Sequence, residues 1–397
     1  MTKMIARGPR YPAIDVLRGL VMIIMALDHV RDYFHIEAMT GDPLNLATTT
    51  PALFFTRWIT HFCAPVFVFL SGLSAAISGQ RKTNAALSVF LIKRGLWLIA
   101  VELLVISLAI TFNPFYNLFI LQVIWAIGWS MVILGLLIRV PVRWVIIIAG
   151  AILFFGHNIT DYLSLPQTGT SAVLWKLLIT SPGDFFSLGA GRFVLLAYAV
   201  LPWTGIMIAG YVLGRLYQPS VQQQVRVKWL FRLGVLSLLL FLLLRFINHY
   251  GDPAPWSVQQ DTVFTILSFI NITKYPASLQ YACMTIGAAL LLLAVWENAS
   301  GRLLSFFSVY GRVPFFYYVL HFFLVHALCV VAFFLSGYGL KDAADTNSPF
   351  LFRPVNFGFS LPWVYGIWLL VIVLLYYPCR WYGRYKQARR HWWLSYL

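Results

Sequence analysis

The sequence predicts an all-α membrane protein, a polytopic bundle of about ten transmembrane helices in one domain spanning residues 1–397. Composition is the first reason, because 60% of the 397 residues are hydrophobic and only 11% are charged, unlike a soluble domain. The second is a series of apolar segments, most of them about 20 residues long, the length that crosses a bilayer as a helix. Ten are predicted, at 13–33, 53–78, 95–112, 117–138, 144–156, 193–214, 229–248, 277–296, 313–335 and 361–379.

The third observation is that most of the 29 basic residues fall in the connections predicted to lie on one side of the membrane. Short cytoplasmic connections of membrane proteins are enriched in Lys and Arg. Lys3, Arg7 and Arg10 precede the first span, and Arg81 and Lys82 follow the second. Both termini are therefore predicted to be cytoplasmic, which requires an even number of spans.

The formal net charge of +16 follows from this orientation, so no nucleic-acid partner is predicted. The run Arg380–Trp393 mixes basic and aromatic residues and indicates contact with membrane lipid. Four cysteines stand singly in apolar spans, so they are expected to be buried without metal. The first span is expected to be retained rather than cleaved, because it contains Asp15, Asp28 and His29.

The first span concentrates costly polar groups on one side. Steps of three and four residues place on a common helix face Asp15, Arg18, Met22, Met25, His29 and Asp32. A charged side chain inside a bilayer costs about 2.5 to 3.5 kcal/mol, so such groups are expected to face the protein interior and act there. Asp15 and Arg18 are expected to neutralise each other, Asp32 is expected to orient His29, and Asp28 is expected to do the same toward another helix.

Three further spans add polar groups. In the second span Arg57 and His61 are one turn apart and are predicted to share one helix face, and the small residues Ser71 and Gly72 allow close helix packing. The fourth span carries Gln122 with Trp125 and Trp129 on one face. Beyond these, Lys274 precedes the eighth span, Arg312 precedes the ninth, and Tyr317 and His321 lie one turn apart within it.

These residues support three functional hypotheses. The first is a transmembrane acyltransferase, in which His29 with Asp28 or Asp32 is the base and His61, Arg57, Lys274, Tyr317 or His321 stabilises developing charge. In this hypothesis basic cytoplasmic residues such as Arg312 hold the donor's phosphates. The second is a proton-coupled transporter, although no internal repeat is visible. The third is a haem or quinone protein, and haem is not predicted because no same-helix histidine pair has suitable spacing.

Five segments carry a resemblance to a known family: Ile14–Gly19, Met25–His29, Ala64–Gly72, Lys274–Leu279 and Gly311–His321. In these segments the chain resembles the heparan-α-glucosaminide N-acetyltransferase catalytic-domain family. The resemblance implies transfer of an acetyl group from cytosolic acetyl-CoA to an amino sugar or glycan across the membrane. It also implies a bacterial inner membrane as the location, and membrane lipid, acyl-CoA and the sugar acceptor as partners.

The lysosomal branch of that family uses an Asn near the end of the first helix and a His in the following connection. Here His29 occupies the Asn position, His35 lies in the connection, and His61 stands where that branch has an acidic residue. The resemblance therefore implies an acetyl-CoA-dependent N- or O-acetyltransferase with His29, His61 and His35 as competing catalytic candidates. Direct transfer, an acyl-histidine intermediate and a homodimer all remain open.

The predicted site has two groups of residues. The catalytic candidates are Asp28, His29, Asp32, His35 and His61. The expected binding residues for donor or acceptor are Arg18, Arg57, Gln122, Lys274, Arg312, Tyr317 and His321. Acetyl-CoA is the expected co-substrate, with no metal or haem.

Overall fold

The structure is a computed structural model that describes residues 11–156, 163–166, 168–180, 183–389, 391 and 394. Lys3, Arg7 and Arg10, and Trp392 and Trp393 of the predicted lipid-binding run, lie outside the described residues. Within them the fold is mostly helical, and each predicted apolar segment contains at least one helix.

The helices in chain order are α1 Pro12–Phe34, α2 Pro51–Trp58, α3 Cys63–Gly79, α4 Asn84–Val101, α5 Ser107–Thr111, α6 Val123–Leu137, α7 Val142–Phe155, α8 Gly169–Trp175, α9 Val200–Leu213, α10 Gln223–Ile247, α11 Thr262–Ile270, α12 Leu279–Trp296, α13 Arg302–Gly311, α14 Pro314–Leu335 and α15 Leu361–Ala388. A 3₁₀ turn, Ile59–Phe62, joins α2 to α3, and a π-helical turn, Glu102–Ile106, joins α4 to α5. The other short turns are Lys176–Thr180, Gly214–Tyr217 and Leu340–Asp342.

Five of the described helices are long and apolar enough to cross a membrane by length and composition. They are Pro51–Gly79, Gln223–Ile247, Leu279–Trp296, Pro314–Leu335 and Leu361–Ala388, the first of which includes the 3₁₀ turn. Shorter apolar helices accompany them, at Val123–Leu137, Val142–Phe155 and Gly169–Thr180. These helices are those of an integral helical membrane protein, and the number of ten spans stays a prediction.

The all-α prediction is wrong at one place, where three strands form a small sheet in the order β1-β3-β2. β1 (Leu118–Leu121) pairs in parallel with β3 (Arg192–Leu196), and β2 (Asp184–Gly189) pairs antiparallel with β3. The predicted helical segments 117–138 and 193–214 thus begin as strands. A short apolar run satisfies either a helix or a strand by composition, and here the strand ladder provides the backbone partners.

One end of the bundle gathers polar groups from several helices. Arg226 at the start of α10 binds Glu297 after α12 with two hydrogen bonds, 3.0 Å from Nε to Oε1 and 2.9 Å from Nη2 to Oε2. The Tyr217 carbonyl accepts hydrogen bonds from the Tyr11 hydroxyl at 2.7 Å and from the Gln80 amide at 3.0 Å. This end, called the inner end below, is the one for which the basic residues predict a cytoplasmic location.

Glycines allow two pairs of helices to touch at the backbone. A Cβ atom at Gly19 would lie 1.8 Å from the Phe307 carbonyl oxygen, so only glycine lets α1 cross α13 there. A Cβ at Gly72 would lie 1.9 Å from the Met207 carbonyl oxygen, where α3 meets α9. The predicted close packing at Gly72 is confirmed, and it holds α3 against α9.

Candidate functional site

A polar cavity of about 130 Å³, called the outer cavity, lies toward the end of the bundle opposite the inner end. Five charged side chains line it: Asp28, Arg31, Asp32, Arg57 and Lys274. They come from the last turns of α1, from α2 and from the segment before α12. The structure therefore brings together charged residues that are far apart in the sequence, as predicted for Asp28, Asp32, Arg57 and Lys274.

Ion pairs organise the wall of this cavity. Asp28 accepts a hydrogen bond from Arg57 through Oδ2 and from Arg31 Nη2 through Oδ1, the latter at 3.1 Å. Arg31 Nη2 also lies 2.6 Å from Asp32 Oδ1. With Lys274, three cations face two carboxylates, so the wall carries one formal positive charge in excess. Such a wall suits stabilisation of an anion inside a water-poor site.

His29 lies at the cavity surface between this network and α14. Its ring meets the Phe322 ring at 4.3 Å and the His321 ring at 5.1 Å between centroids, both edge to face. Among the described residues no hydrogen bond joins His29 to Asp28 or Asp32, because both carboxylates are held by arginines. The predicted orientation of His29 by a carboxylate is therefore wrong, and its orientation comes from aromatic packing.

His321 lies behind His29, fully buried. Its Nδ1 is 2.5 Å from the Tyr318 carbonyl oxygen and 3.2 Å from that of Tyr317. A carbonyl only accepts, so Nδ1 is the protonated nitrogen and Nε2 is left as an acceptor without a partner in the described structure. Tyr317 stacks on His321 at 5.5 Å and its hydroxyl is also buried and unpartnered. Neither residue lines the outer cavity, and of the two His321 is the one whose ring contacts His29.

His61 and Arg57 were predicted to share one helix face, and this is wrong. The 3₁₀ turn between α2 and α3 changes the helical repeat between them. Arg57 consequently lines the outer cavity, while the His61 ring is 1% exposed and packs 5.7 Å from the Tyr281 ring on α12. Both His61 ring nitrogens lack partners among the described residues. Its neighbours Thr60 and Cys63 line the cavity instead.

His35 is placed outside the outer cavity. It follows α1, where its backbone N–H donates to the Arg31 carbonyl at 2.9 Å. Its side chain lines a separate cavity under the loop 35–50, here called the vestibule. Arg31 lines both the vestibule and the outer cavity, so the cavity of His35 and the cavity of His29 adjoin at this residue.

A second, mostly apolar cavity of about 90 Å³, the middle cavity, adjoins the outer one. Phe67 and Val123 line both, so these two side chains form the partition between them. Met22 and Leu98 are among the apolar residues around it, and Arg18 marks its opposite end. The middle cavity therefore leads from the charged outer cavity toward the inner end.

The third cavity, about 270 Å³ and called the inner cavity, is cationic. Arg18, Arg94, Arg312 and Lys386 line it, and it shares Arg18 and Arg94 with the middle cavity. Arg18 donates to Ser74 Oγ at 3.0 Å, and its 3.5 Å pairing with Asp15 confirms the predicted neutralisation. Three adjoining cavities thus follow one another from the inner end to His29.

The sheet that sequence reasoning missed positions part of the outer cavity. Because β1 and β3 are parallel, their carboxyl ends meet at one edge, and the residues that follow both strands line the cavity. Gln122 follows β1, as predicted for a binding residue, whereas Tyr198 after β3 was not foreseen. Tyr275, next to Lys274, was also missed, and the Lys274 Nζ lies 4.9 Å from the Tyr275 ring centroid.

Glu102 is a further missed residue, fully buried in the π-helical turn. Its Oε1 accepts a hydrogen bond from the Gln122 backbone N–H at 2.8 Å, and its Oε2 has no partner in the described structure. A sequence signal existed, since Glu102 is the only carboxylate in the predicted span 95–112. Among the described residues, no group of three or more His, Cys, Asp or Glu side chains is arranged to hold a metal ion.

Comparison with known proteins supplies the family. The model of the family described as heparan-alpha-glucosaminide N-acetyltransferase, catalytic, matches residues 10–246, which is more than half of the chain. The matched part contains His29, Asp28, Arg57 and Gln122, and it ends before Lys274. No curated protein matches the chain. The family supports a transmembrane N-acetyltransferase in general terms, and the chain belongs to the heparan-α-glucosaminide N-acetyltransferase catalytic family.

Proposed function

We propose that this protein transfers an acetyl group from acetyl-CoA, bound from the cytoplasm, to the amine of a sugar on the outer side. The observation that carries this proposal is the series of three cavities, cationic at the inner end, apolar in the middle, and lined by His29 and the ion pairs at the outer end. A donor that enters at one face can thus present its acyl group to an acceptor from the other.

The inner cavity suits the phosphates of coenzyme A. Arg18, Arg94, Arg312 and Lys386 offer charge-assisted hydrogen bonds to an anion, and arginine binds phosphate with two parallel donors. Arg18 and His29 are 29 − 18 = 11 residues apart on α1, which is about 16 Å along a helix at about 1.5 Å per residue. That separation fits a donor with a long, narrow arm between its phosphates and its thioester.

The outer cavity supplies the groups that acyl transfer requires. The acceptor nitrogen attacks the acetyl carbonyl, a C–N bond forms, and His29 takes the proton that the nitrogen loses. Arg57 and Lys274 stabilise the negative charge that develops on the carbonyl oxygen. The C–S bond then breaks, and the coenzyme A sulfur leaves with the electron pair and receives the proton from His29.

The test is transfer by the purified protein in lipid nanodiscs, with radiolabelled acetyl-CoA and glucosamine. We expect N-acetylglucosamine to form, and we expect His29→Ala to lose at least about 100-fold in rate, the lower range of general base catalysis. His249→Ala is the matched control, because His249 is an exposed histidine of an outer connection away from the three cavities. Transfer that survives unchanged in a folded His29→Ala protein would remove His29 from the mechanism.

The same assay separates the reaction class from its alternatives. Failure of the wild-type protein to bind acetyl-CoA and to acetylate any amino sugar would favour the proton-coupled transporter. Protein-bound label after a rapid denaturing quench, absent in His29→Ala, would indicate an acyl-histidine intermediate. Product formation with no protein-bound label would indicate direct transfer.

The location is proposed to be a bacterial inner membrane, and a homodimer remains a proposal. Lipid contact is supported by the long apolar helices, two of which expose bulky side chains along their length. On α10 these include Trp229, Phe231 and Leu236, and on α15 they include Trp363 and Leu369. In water these faces would be unfavourable, whereas hydrocarbon accommodates them without loss of free energy.

A further inference from the structure

We propose that Tyr275 is a second base of the outer cavity, which takes a proton from the acceptor's ammonium group before His29 acts. This inference rests on the proposed function and adds a catalytic residue to it. An aliphatic amine is mostly protonated at neutral pH, and an ammonium nitrogen has no electron pair with which to attack. The acceptor must therefore lose one proton before the attack and another during it, and in the proposed function His29 takes only one of them.

Tyr275 lines the outer cavity beside a nearly buried cation. Lys274 is 8% exposed, and its Nζ lies 4.9 Å from the Tyr275 ring centroid and 5.6 Å from that of Tyr198. Within the described part of the chain no carboxylate pairs with Lys274, since both carboxylates of the cavity are held by arginines. A buried ammonium is unfavourable without a counter-charge, and the phenolate of Tyr275 can supply that charge.

The hydroxyl of Tyr198 is a hydrogen-bond partner for Tyr275 in either protonation state. The two hydroxyl oxygens are 3.4 Å apart, and the rings meet edge to face at 5.2 Å between centroids. Tyr198 follows β3 and is 6% exposed. A phenol hydroxyl both donates and accepts, so Tyr275 donates to Tyr198 when it is protonated and accepts from it when it is ionised.

The charges around Tyr275 favour its ionised form. Burial alone raises the pKa of Tyr275, but the positive charges of Lys274 and Arg57 outweigh burial and hold this pKa below its usual value of 10. Tyr275 lies in the connection before α12, outside the predicted span. The other titratable side chains that face it are phenols, which carry no charge near neutral pH in their ordinary state: Tyr198, Tyr281 and Tyr318.

Hydrogen bonds on both sides of Tyr275 fix the segment that carries it. Asp252 Oδ2 accepts from the Thr273 N–H at 2.8 Å and from the Ser278 hydroxyl at 2.6 Å. Asp252 Oδ1 accepts from the Thr273 hydroxyl at 2.9 Å, and the Ser278 N–H donates to the Thr273 carbonyl at 3.2 Å. The segment 273–278 is thereby closed on itself, which holds Lys274 and Tyr275 at the cavity.

The proton transfer restores the charge of the cavity wall when the reaction needs it. Before the transfer, the phenolate balances the one formal positive charge in excess on the wall. The acceptor's N–H bond then breaks with its electron pair left on nitrogen, and an O–H bond forms on Tyr275. The wall regains its positive charge as the attack makes the acetyl carbonyl oxygen negative. After product release, water from the outer side takes the proton from Tyr275 as hydronium and restores the phenolate.

The first test measures kcat/KM for glucosamine over a range of pH, with saturating acetyl-CoA, for wild type and Tyr275→Phe in nanodiscs. We expect the variant to lose at least about tenfold at about pH 6.5, where the acceptor is an ammonium ion. The loss should shrink to within about threefold at about pH 9, because the acceptor then arrives as the free amine. A loss that is equal at every pH would assign Tyr275 a structural role and overturn the inference.

Tyr338→Phe is the matched control for this comparison. It also removes a phenol hydroxyl, but from an outer connection away from the three cavities, and the phenylalanine ring can keep the stacking on Phe333. Its pH profile should follow that of the wild type.

A titration without substrates keeps this inference separate from the proposed function. Ultraviolet difference spectra detect ionised tyrosine directly, and one of the 20 tyrosines should ionise before the rest in the wild type, a step absent in Tyr275→Phe. A wild type without that step overturns the inference even if it transfers acetyl groups normally. A wild type that shows the step but acetylates no amino sugar overturns the proposed function, and the inference with it.

Discussion

At the scale of single residues, Phe67 lies where the proposed reaction would have to cross from one cavity to the next. Its side chain and that of Val123 separate the middle cavity from the outer cavity. In the proposed function the thioester must pass this partition while water is kept from it. A large aromatic ring can turn aside to let the thioester pass and can otherwise keep water out. A small side chain would let the thioester pass but would not keep water out.

Phe67→Ala should therefore open the partition permanently. We expect release of free coenzyme A from acetyl-CoA without an acceptor to rise at least severalfold over wild type, because water from the outer cavity reaches the thioester. Thiol-reactive dye follows that release directly. Phe67→Leu keeps most of the volume and is the matched control. Equal hydrolysis by wild type and Phe67→Ala would show that the partition lies elsewhere.

We expect His35 to make the stability of the folded protein depend on pH. Burial lowers the pKa of His35 below its usual value of 6.5, the positive charges of Arg31 and Arg353 act in the same direction, and Glu37 opposes them. Its folded pKa is below its unfolded pKa, so its contribution to stability is present above pH 6.5 and is lost as pH falls through the folded value. His35 lies after α1, in the connection outside the span.

The wild-type protein should accordingly lose more stability than His35→Gln when the pH is lowered from 7.5 to 5. Apparent unfolding temperatures in detergent, measured at several pH values for both proteins, test this. His249→Gln is the control, because it also replaces a histidine by glutamine but at an exposed position outside the cavities. Identical pH profiles for wild type and His35→Gln would assign the acid sensitivity to other groups.

At the scale of elements, the sequence predicts where the helices lie, but it does not predict the turns that interrupt them. His29 and Asp32 share one face of α1 and could be placed together from spacing alone, whereas Asp28 only adjoins His29 in the chain. The 3₁₀ turn after α2 separated Arg57 from His61. No residue pattern in this segment shows where the backbone hydrogen bonds change from a four-residue to a three-residue spacing. β1 and β3 were missed because Leu118–Leu121 is apolar in a way that suits a helix equally well. The vestibule depends on contacts between residues far apart, such as Asn271 with Leu44, which spacing cannot reveal.

The π-helical turn gives Glu102 a positioning role that follows from this geometry. The turn brings the carboxylate to the Gln122 backbone N–H, and Ser107 Oγ in the next turn accepts from the Ile120 N–H at 3.3 Å. Both hydrogen bonds hold β1 against the helix. They therefore fix the junction between β1 and α6, which places Gln122 and Val123 at the outer cavity. A π-helical turn at such a place is a common feature of functional sites.

Glu102→Ala should weaken the junction between β1 and α6 by about 1 to 3 kcal/mol, because the partly buried Gln122 N–H loses its acceptor. We expect lower apparent stability and slower transfer, with helix content by circular dichroism unchanged. Glu102→Gln retains an acceptor oxygen and should preserve most of both. If Glu102→Gln fails as completely as Glu102→Ala, the charge or proton of Glu102, rather than its hydrogen bond, is what the site needs.

At the scale of the whole molecule, the two ends of the bundle differ in the charges that line their cavities. The inner cavity is cationic, the exposed carboxylates of Glu37 and Asp42 line the vestibule, and the groups proposed for chemistry lie beyond a partition nearer the outer end. Ion pairs and hydrogen bonds at the inner end, such as Arg226 with Glu297, keep the starts and ends of α1, α3, α10 and α12 together there. In the proposed function, the same asymmetry that predicts the orientation of the protein in the membrane also gives each substrate its own side.

This direction predicts sidedness in sealed vesicles. Inverted vesicles expose the cytoplasmic face, so acetyl-CoA added outside, with glucosamine trapped inside, should give N-acetylglucosamine in the lumen. Right-side-out vesicles supplied with external acetyl-CoA should give product only after permeabilisation, because the donor's charged phosphates cannot reach the inner cavity across the bilayer. Arg312→Gln, which removes one inner-cavity cation, should raise the acetyl-CoA concentration required in inverted vesicles without changing which face is active. If intact right-side-out vesicles form product when acetyl-CoA is present only outside, the donor cavity lies on the opposite face and the proposed direction of transfer is reversed.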